Sequence, residues 1–129
     1  MAFERSVGVR WRDTDALGHV NHAVFLTYLE EGRDAFFQQT LGSDPSYVVV
    51  RLEVDLRAEV RIDDRQVRVR MEIESLGTTS LTTRETLFLP SGEVAAEARV
   101  VTVRWDEDQH KPIPFTEAER AGLNAAMTR

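Results

Sequence analysis

The middle of the chain alternates apolar and charged residues over two long stretches, and this alternation limits the fold more than any other feature. From residue 48 to residue 62 every even position is apolar, and the odd positions from 51 to 61 are all charged. From residue 67 to residue 74 the alternation continues with the apolar residues at odd positions. Since neighbouring side chains of a strand point to opposite faces, each stretch predicts a long strand with one apolar and one wet face.

Three further strands are predicted around these two. Residues 3–11 alternate in the same way, and residues 80–89 and 93–105 are bounded by turn residues. The turns before the last three strands are short and consist of an acidic pair at 63–64, the surroundings of Gly77 and a Pro-Ser-Gly turn. Short turns between long strands predict that the last four strands form an antiparallel meander.

Between the first and second strands, apolar residues recur at the three- and four-residue steps that are typical of one helix face. These residues are Val24, Phe25, Tyr28, Leu29, Gly32, Ala35, Phe36 and Phe37. The pattern predicts a helix of about five turns from Ala23 to Leu41, which Gly42 ends. Because this helix needs cover and the strands have a free apolar face, we expect an α+β fold: a long central helix wrapped by a curled antiparallel sheet of about five strands.

The C-terminal segment predicts a second, shorter helix. Pro112 and Pro114 stop the sheet, and Thr116 and Glu119 have the spacing of a capping box. We expect this helix to act as a lid or to cover an edge of the sheet.

Length, charge and composition narrow the class of protein. At 129 residues the chain fits a single domain, residues 1–129, with a core of its own. A net charge of -6 argues against nucleic acid as the main partner, since phosphate binding needs a concentrated positive field. No apolar run approaches the roughly 20 residues of a membrane helix, so no membrane span is expected. With no cysteine and no signal-peptide core in the first residues, the expected location is the cytoplasm.

A loop dense in ionisable residues, "RDTDALGHVNH" at 12–22, precedes the long helix. Asn21 is a favoured N-cap. The first helical amides, which lack intrahelical partners at the positive end of the helix dipole, belong to His22, Ala23 and Val24. Gly18 lets the loop fold tightly enough to bring the Asp15 carboxylate near these amides. The arrangement predicts acyl transfer by attack of Asp15 or of a water that it activates, with a solvated turn as the alternative.

The string "RWRDTDALGHVNHAVFLTYLEEGR", residues 10–33, resembles the signature of the hotdog-fold acyl-CoA thioesterases, in the branch of 4-hydroxybenzoyl-CoA thioesterase and the YbgC-like proteins. The resemblance extends over most of the chain, including Gly77 and the K-P-x-P segment at 111–114. It implies a hotdog fold and an enzyme that hydrolyses an acyl-CoA or acyl-carrier thioester to the free acid and the thiol. It implies no cofactor, since coenzyme A is part of the substrate. It also implies an active site between two subunits, in a homodimer at least and a homotetramer in many members.

The candidate site residues come from the loop, the start of the helix and the second turn. By resemblance, Asp15 matches the aspartate that acts on the thioester carbonyl as nucleophile or general base. His22 falls where the family has its oxyanion-donating amide, and its side chain is expected to assist as acid or positioner. The substrate-binding residues expected in the loop and helix are Gly18, His19, Asn21, Ala23 and Phe25. The basic residues expected to meet the CoA phosphates are Arg57, Arg61 and Arg65.

Two other interpretations of the loop stay open. Asp13, Asp15, His19 and His22 include the side-chain types that bind zinc, manganese or iron, but their spacing is not that of a helical metal site, and no metal is expected. Alternatively, a hotdog domain binds an acyl thioester or another small acid without turning it over.

Simpler roles are expected for the remaining acidic residues near the loop. Glu30 and Glu31 on the helix are candidates for catalysis, but a solvated helix face is favoured, with Glu30 able to pair with Arg33 three residues on. Asp13 is expected to shape the loop through hydrogen bonds rather than to act as a second catalyst.

Overall fold

The computed structural model describes residues 3–42 and 45–127 of the chain. This part of the chain forms six strands and two α-helices. The strands are β1 (Phe3–Gly8), β2 (Tyr47–Leu56), β3 (Gln66–Leu76), β4 (Ser80–Phe88), β5 (Val94–Asp106) and the two-residue β6 (Lys111–Pro112). The helices are α1 (His22–Leu41) and α2 (Glu117–Met127), and one-turn 3-10 helices lie at Trp11–Asp13 and Ile62–Asp64. The first strand therefore ends at Gly8 rather than at residue 11.

The sheet is antiparallel throughout and has the order β1-β3-β4-β5-β2, with β6 paired to the end of β5. Strands β3, β4 and β5 form a meander, as predicted. The prediction that β2 joins it beside β3 is wrong, because β2 pairs with β5 at the opposite edge, with Leu52 opposite Val100. Residues 57–65 cross from β2 at this edge to β3 on the far side of the sheet, so the predicted strand ends at Leu56 and not at residue 62. Alternation indicates which face a side chain takes, but not which strand lies alongside.

Helix α1 packs against the inner face of the curled sheet, as predicted. Asn21 is its N-cap, and Gly42 ends it with a φ of +71°. The buried residues of the helix are Phe25, Tyr28, Leu29, Gly32, Arg33, Phe36 and Phe37. Gly32 is needed for a close approach to the sheet, since a Cβ at this position would lie 2.5 Å from Cγ1 of Val69. The predicted α+β arrangement of a sheet wrapped around a central helix is confirmed.

A buried ion pair joins α1 to β4. Arg33 donates from Nε and Nη2 to the two carboxylate oxygens of Glu85, at 2.9 and 2.8 Å, and Thr83 donates its hydroxyl to the same carboxylate at 2.8 Å. Burial lowers the pKa of Arg33, but the hydrogen bonds and charge of Glu85 outweigh burial and raise that pKa above its ordinary value. The predicted pairing of Arg33 with Glu30 is wrong, because Arg33 faces the core while Glu30 is exposed.

The outer face of the sheet carries the charged side chains predicted for it. Glu74 on β3 accepts hydrogen bonds from Arg84 on β4 at 2.9 Å and from Arg99 on β5 at 2.8 Å. The guanidinium of Arg70 lies 4.7 Å from the centre of the Phe88 ring. Cross-strand ion pairs of this kind keep the outer face polar.

Strand β2 leaves apolar side chains uncovered at the edge of the sheet. Val49, Leu52 and Leu56 lie opposite buried positions of β5, which places them on the inner face of the sheet. They are nevertheless 41, 40 and 53 % exposed. We call these three residues the apolar edge, and nothing in the described part of the chain covers it.

Helix α2 begins at the predicted capping box. Glu119 N donates to the Thr116 hydroxyl at 3.1 Å, and Thr116 N donates to the Glu119 carboxylate at 2.9 Å. Glu119 also accepts from Nε of Arg104 on β5 at 3.2 Å, and Leu123 is fully buried. The helix is thus fastened to the sheet. Of the helices in residues 3–42 and 45–127, none combines the length and apolar character needed to cross a membrane.

Candidate active site

The loop before α1 folds as a small hairpin. Thr14 and Val20 form an antiparallel bridge, and Asp15 N donates to the His19 carbonyl at 2.8 Å. Gly18 N donates back to the Asp15 carbonyl at 3.1 Å, and Gly18 has a φ of +79°. Glycine adopts this left-handed conformation without strain, so Gly18 makes the tight turn that the sequence predicts.

Asp15 lies exposed at the tip of the hairpin with one carboxylate oxygen engaged. Its Oδ1 accepts hydrogen bonds from the backbone N–H groups of Leu17 at 2.8 Å and His19 at 3.1 Å. These bonds favour the charged form and hold the pKa of Asp15 below its ordinary value of 3.8. Its Oδ2 accepts no hydrogen bond from the other described residues. An ionised carboxylate with one free oxygen can attack a carbon or take a proton from water.

The N-terminus of α1 follows the hairpin directly. Ala23 N donates to the side-chain oxygen of Asn21 at 2.9 Å, and Val24 N donates to the Asn21 carbonyl at 2.9 Å. The amide of His22 has no acceptor among the described residues. Of the amides predicted as oxyanion donors, the first is therefore the one open to a ligand, at the positive end of the helix dipole.

Asp13 lies at the base of the hairpin and is buried. Its Oδ2 accepts hydrogen bonds from Arg10 N at 2.9 Å, from Arg10 Nε at 3.3 Å and from the Tyr28 hydroxyl at 2.7 Å. Burial raises the pKa of Asp13, but these hydrogen bonds outweigh burial and bring the pKa below its ordinary value of 3.8. Burial and the bond to Asp13 raise the pKa of Tyr28, which therefore stays a protonated donor. The prediction that Asp13 shapes the loop through hydrogen bonds is confirmed.

The crossover between β2 and β3 supports the hairpin from its other side. Val20 N donates to the Val60 carbonyl at 2.8 Å, and His19 forms a bridge with Arg61. The His19 ring nitrogen Nε2 lies 3.0 Å from the Arg61 guanidinium and 3.2 Å from the Glu59 carboxylate. It accepts from Arg61 in one tautomer and donates to Glu59 in the other. The sequence indicates Glu59 only as an acidic partner for nearby arginines and not as a site residue, because the crossover reads as the end of a strand.

The three arginines predicted to meet the CoA phosphates lie in different surroundings. Arg61 contacts His19, as described above. Arg57 lies just after β2 and donates to Glu97 at 2.7 Å. Arg65 is exposed, with a φ of +64°, and no ion pair to it is found in residues 3–42 and 45–127. The fold thus brings one of the three, Arg61, into contact with the hairpin.

The helix residues that are predicted to bind substrate differ in solvent exposure. Asn21, His22 and Ala23 are exposed at the start of α1. Phe25 is 4 % exposed and packs in the hydrophobic core. The first turn of α1 therefore runs from the open surface to the interior within a few residues.

The four candidate metal ligands of the loop are not arranged as a metal site. Asp13 is committed to Arg10 and Tyr28, and Asp15 is held by backbone amides. In the part of the chain that the structure describes, no group of three or more His, Cys, Asp or Glu side chains is arranged to hold a metal ion. Glu31, an alternative candidate for catalysis, accepts a hydrogen bond from Arg10 at 3.2 Å.

Comparison with families of known proteins identifies the chain. Residues 9–123 match the thioesterase-like superfamily. The chain belongs to this superfamily. The matched range contains the hairpin, α1 and strands β2 to β6.

Related proteins and solved structures agree with the family. A thioesterase from Thermus thermophilus, solved in complex with coenzyme A and Zn, is 36 % identical, with a TM-score of 0.86 over 98 % of this chain and 95 % of that one. A predicted thioesterase from Bacillus stearothermophilus is 30 % identical, with a TM-score of 0.87 over 98 % of this chain and 96 % of that one. Acyl-CoA thioester hydrolase YbgC from Escherichia coli O6:H1 is 32 % identical over 117 residues, 85 % of this chain and 87 % of the relative. The predicted hotdog fold and the predicted class of enzyme are confirmed.

Proposed function

We propose that this protein hydrolyses acyl-CoA thioesters, with the Asp15 carboxylate and the His22 amide as its reacting groups. The observation that carries the proposal is the state of Asp15, whose Oδ1 is held by two backbone amides while Oδ2 is left open. The substrate class is supported by the relatives, since the Escherichia coli protein is named an acyl-CoA thioester hydrolase and the Thermus thermophilus structure contains coenzyme A.

The reaction needs few protein groups. The thioester carbonyl oxygen accepts from the His22 amide, where the helix N-terminus stabilises the negative charge that develops on it. In one route Asp15 takes a proton from water as the water oxygen attacks the carbonyl carbon. The C–S bond then breaks, and the departing CoA thiolate takes up the proton that Asp15 holds, directly or through the exposed His22 imidazole, which restores the Asp15 carboxylate.

In the second route Asp15 is the nucleophile. Its Oδ2 attacks the carbonyl carbon, the C–S bond breaks, and an acyl-aspartate anhydride forms. Water then hydrolyses the anhydride, which releases the acid and restores the carboxylate. Neither route requires a cofactor beyond the coenzyme A of the substrate.

The substrate is expected to approach over the start of α1. Asn21 and Ala23 are exposed there, and Phe25 leads into the apolar interior. We assign Arg61 to the CoA phosphates rather than Arg57, because both arginines pair with a glutamate but only Arg61 contacts the hairpin, at 3.0 Å from the His19 ring. An acyl-carrier thioester is the alternative substrate. The cytoplasm is the expected location of the protein.

The working unit of this enzyme is a homodimer at least. The apolar edge on β2 is exposed, and β2 is an end strand of the sheet with one side unpaired by described residues. Antiparallel pairing with β2 of a second copy would bury this row of side chains and continue the sheet. As the family resemblance implies, the second copy would also complete an active site that lies between two subunits. The homotetramer implied by the family resemblance stays a prediction.

Two variants of Asp15 test the proposal. Asp15→Asn keeps an oxygen that accepts the amides of Leu17 and His19 but removes the charge, and Asp15→Ala removes both. We expect the wild type to release thiol from at least one member of a panel of short, long and aromatic acyl-CoAs. Both variants should lose about 100-fold or more in kcat while remaining folded. Thiol release is followed with a thiol-reactive dye, and the protein itself adds no background because it has no cysteine.

Asp106 supplies a matched control. Its Oδ1 accepts from the amides of Asp108 at 2.9 Å and Gln109 at 3.1 Å, so that, as at Asp15, two backbone amides that follow the aspartate are bound by one carboxylate oxygen. Asp106→Ala should therefore leave turnover unchanged. Full activity of Asp15→Asn would mean that Asp15 only shapes the turn. A wild type that binds acyl-CoA in calorimetry but releases no thiol would make the protein a non-catalytic acyl-thioester binder.

A further inference from the structure

We propose that Asp13 is a positioning residue for hydrolysis, because its buried carboxylate sets the place of the Asp15 carboxylate relative to the N-terminus of α1. The inference rests on the proposed function of Asp15 and His22. It assigns a second aspartate to the same reaction, acting through the residues around it and not by contact with the substrate.

Asp13 is fastened to helix α1 through two of its hydrogen-bond partners. Its carboxylate accepts the hydroxyl of Tyr28 at 2.7 Å, and Tyr28 is a fully buried residue of α1. Arg10, which donates to Asp13 from both N and Nε, also donates to Glu31 of α1 at 3.2 Å. The base of the hairpin is therefore tied to the side of the helix at two points, about one turn apart.

Asp13 is also connected to both reacting groups, the Asp15 carboxylate and the His22 amide. Its backbone carbonyl accepts the amide of Asn21 at 3.2 Å, and the bridge between Thr14 and Val20 lies directly beside this bond. The Asp15 carboxylate and the His22 amide are thus both close in sequence to Asp13 or to the residue that it binds. Asp15 is two residues from Asp13, and His22 is next to Asn21.

A fixed position of the hairpin relative to α1 should raise the rate of hydrolysis. Attack on a carbonyl requires the reacting atoms to be held about 3 to 3.5 Å apart in a defined direction. The hairpin carries Asp15 at its exposed tip, and the contacts of the hairpin with the crossover are made by Gly18, His19 and Val20 rather than by Asp15. Charge-assisted hydrogen bonds to a buried carboxylate at the base are among the stronger ones a protein forms, and they limit tilting of the hairpin against the helix.

The test compares Asp13→Asn with Asp13→Ala. An asparagine oxygen can still accept from Tyr28 and Arg10, whereas alanine leaves both donors unpaired. We expect Asp13→Ala to lower kcat about 10- to 100-fold with KM changed less than about threefold, and Asp13→Asn to keep most of the activity. This rescue is the reverse of the result expected at Asp15, where asparagine does not restore turnover. The two proposals therefore fail separately.

Glu119→Ala is the matched control for loss of stability. Glu119 also accepts a backbone amide three residues earlier and an arginine Nε, but it does so at the start of α2. Its loss should lower thermal stability and leave kcat unchanged. If Asp13→Ala fails to fold, Tyr28→Phe removes one hydrogen bond to Asp13 without changing the packing of the ring, and it should lower kcat with little change in KM.

The outcomes separate a positioning residue from a purely structural one. Selective loss of kcat in Asp13→Ala, or in Tyr28→Phe, with rescue by Asp13→Asn supports the proposal. Wild-type kcat in a folded Asp13→Ala or Tyr28→Phe variant overturns it. Equal loss in Asp13→Asn and Asp13→Ala also overturns it, since charge and not hydrogen bonding would then be required.

Discussion

Asp13 and Asp15 lie two residues apart and hold their negative charge in different ways. Asp13 is buried, and its Oδ2 is surrounded by donors from Arg10 and Tyr28. Asp15 is exposed, and two backbone amides occupy one oxygen only. Hydrogen bonds lower the pKa of both groups, and in each group all of these bonds go to one oxygen, but only the Asp15 carboxylate is exposed at the surface, where a substrate can reach it. Such a difference in surroundings is what separates a positioning carboxylate from a reacting one.

The lowered pKa of Asp15 predicts the acid side of the activity profile. The charged form is the reactive one, and its pKa lies below 3.8, so kcat/KM should not fall through protonation of Asp15 between pH 8 and pH 5. Loss of activity should begin only as the pH approaches that pKa. Thiol release measured across pH, with circular dichroism at each point to detect unfolding, checks this. An acid limb with a midpoint between pH 5 and 8 would show that another group controls the rate.

At the level of elements, α1 combines the core, the candidate site and a buried charge. Its apolar side chains fill the curled sheet, its N-terminus presents the His22 amide, and Arg33 in its middle pairs with Glu85 of β4. A buried ion pair contributes little net stability compared with apolar side chains of the same size. It does oppose sliding of the helix along the sheet, because a shifted helix would leave both charges unpaired.

Removal of one partner of this pair should be costly, and removal of both should not. We expect Glu85→Leu to lower the free energy of unfolding by about 3 to 5 kcal/mol, because it leaves the Arg33 charge buried and unpaired. The double variant Arg33→Met with Glu85→Leu should recover most of that loss. Urea unfolding at one fixed protein concentration measures both values. As a control, Glu97→Gln breaks an exposed pair and should cost less than about 1 kcal/mol. Additive losses in the double variant would contradict this account.

At the scale of the whole molecule, the sheet is incomplete at β2. The apolar edge of Val49, Leu52 and Leu56 belongs to the inner face of the sheet and is open in the single chain. The outer face, by contrast, has its charges joined by cross-strand pairs. The apolar edge is therefore where a second copy of the chain gains most from association.

Oligomer formation should depend on this edge. Leu52→Arg places a charge in the middle of the row and should shift the protein from dimer or larger to monomer, measured by size-exclusion chromatography with light scattering. Thiol release should fall in parallel if the second copy closes the site. Arg84→Ala, on the outer face of a central strand, serves as the control and should leave the assembly intact. A wild type that is monomeric at micromolar concentration would rule out the proposed dimer.

The helix, most of the strands and the tight turn of the loop before α1 could be predicted because their signals are local. Asn21 and Gly42 bound α1 as capping residues do, and the alternation over β3 places Val67, Val69 and Met71 on the buried face. The loop also combines its acid, glycine and N-cap within a few residues of the helix. Whether Asp15 and His22 react as the sequence predicts awaits the kinetic tests.

The sequence by itself determined which segments form helix or strand, which faces are buried, and how the loop before α1 turns, because periodicity, capping and turn residues act over a few positions. Only the tertiary structure decided the place of β2 beside β5, the Arg33–Glu85 pair and the contact of His19 with Arg61. The partners in these two side-chain contacts are 52 and 42 positions apart. No local pattern encodes such partners, since they are selected by the packing of whole elements.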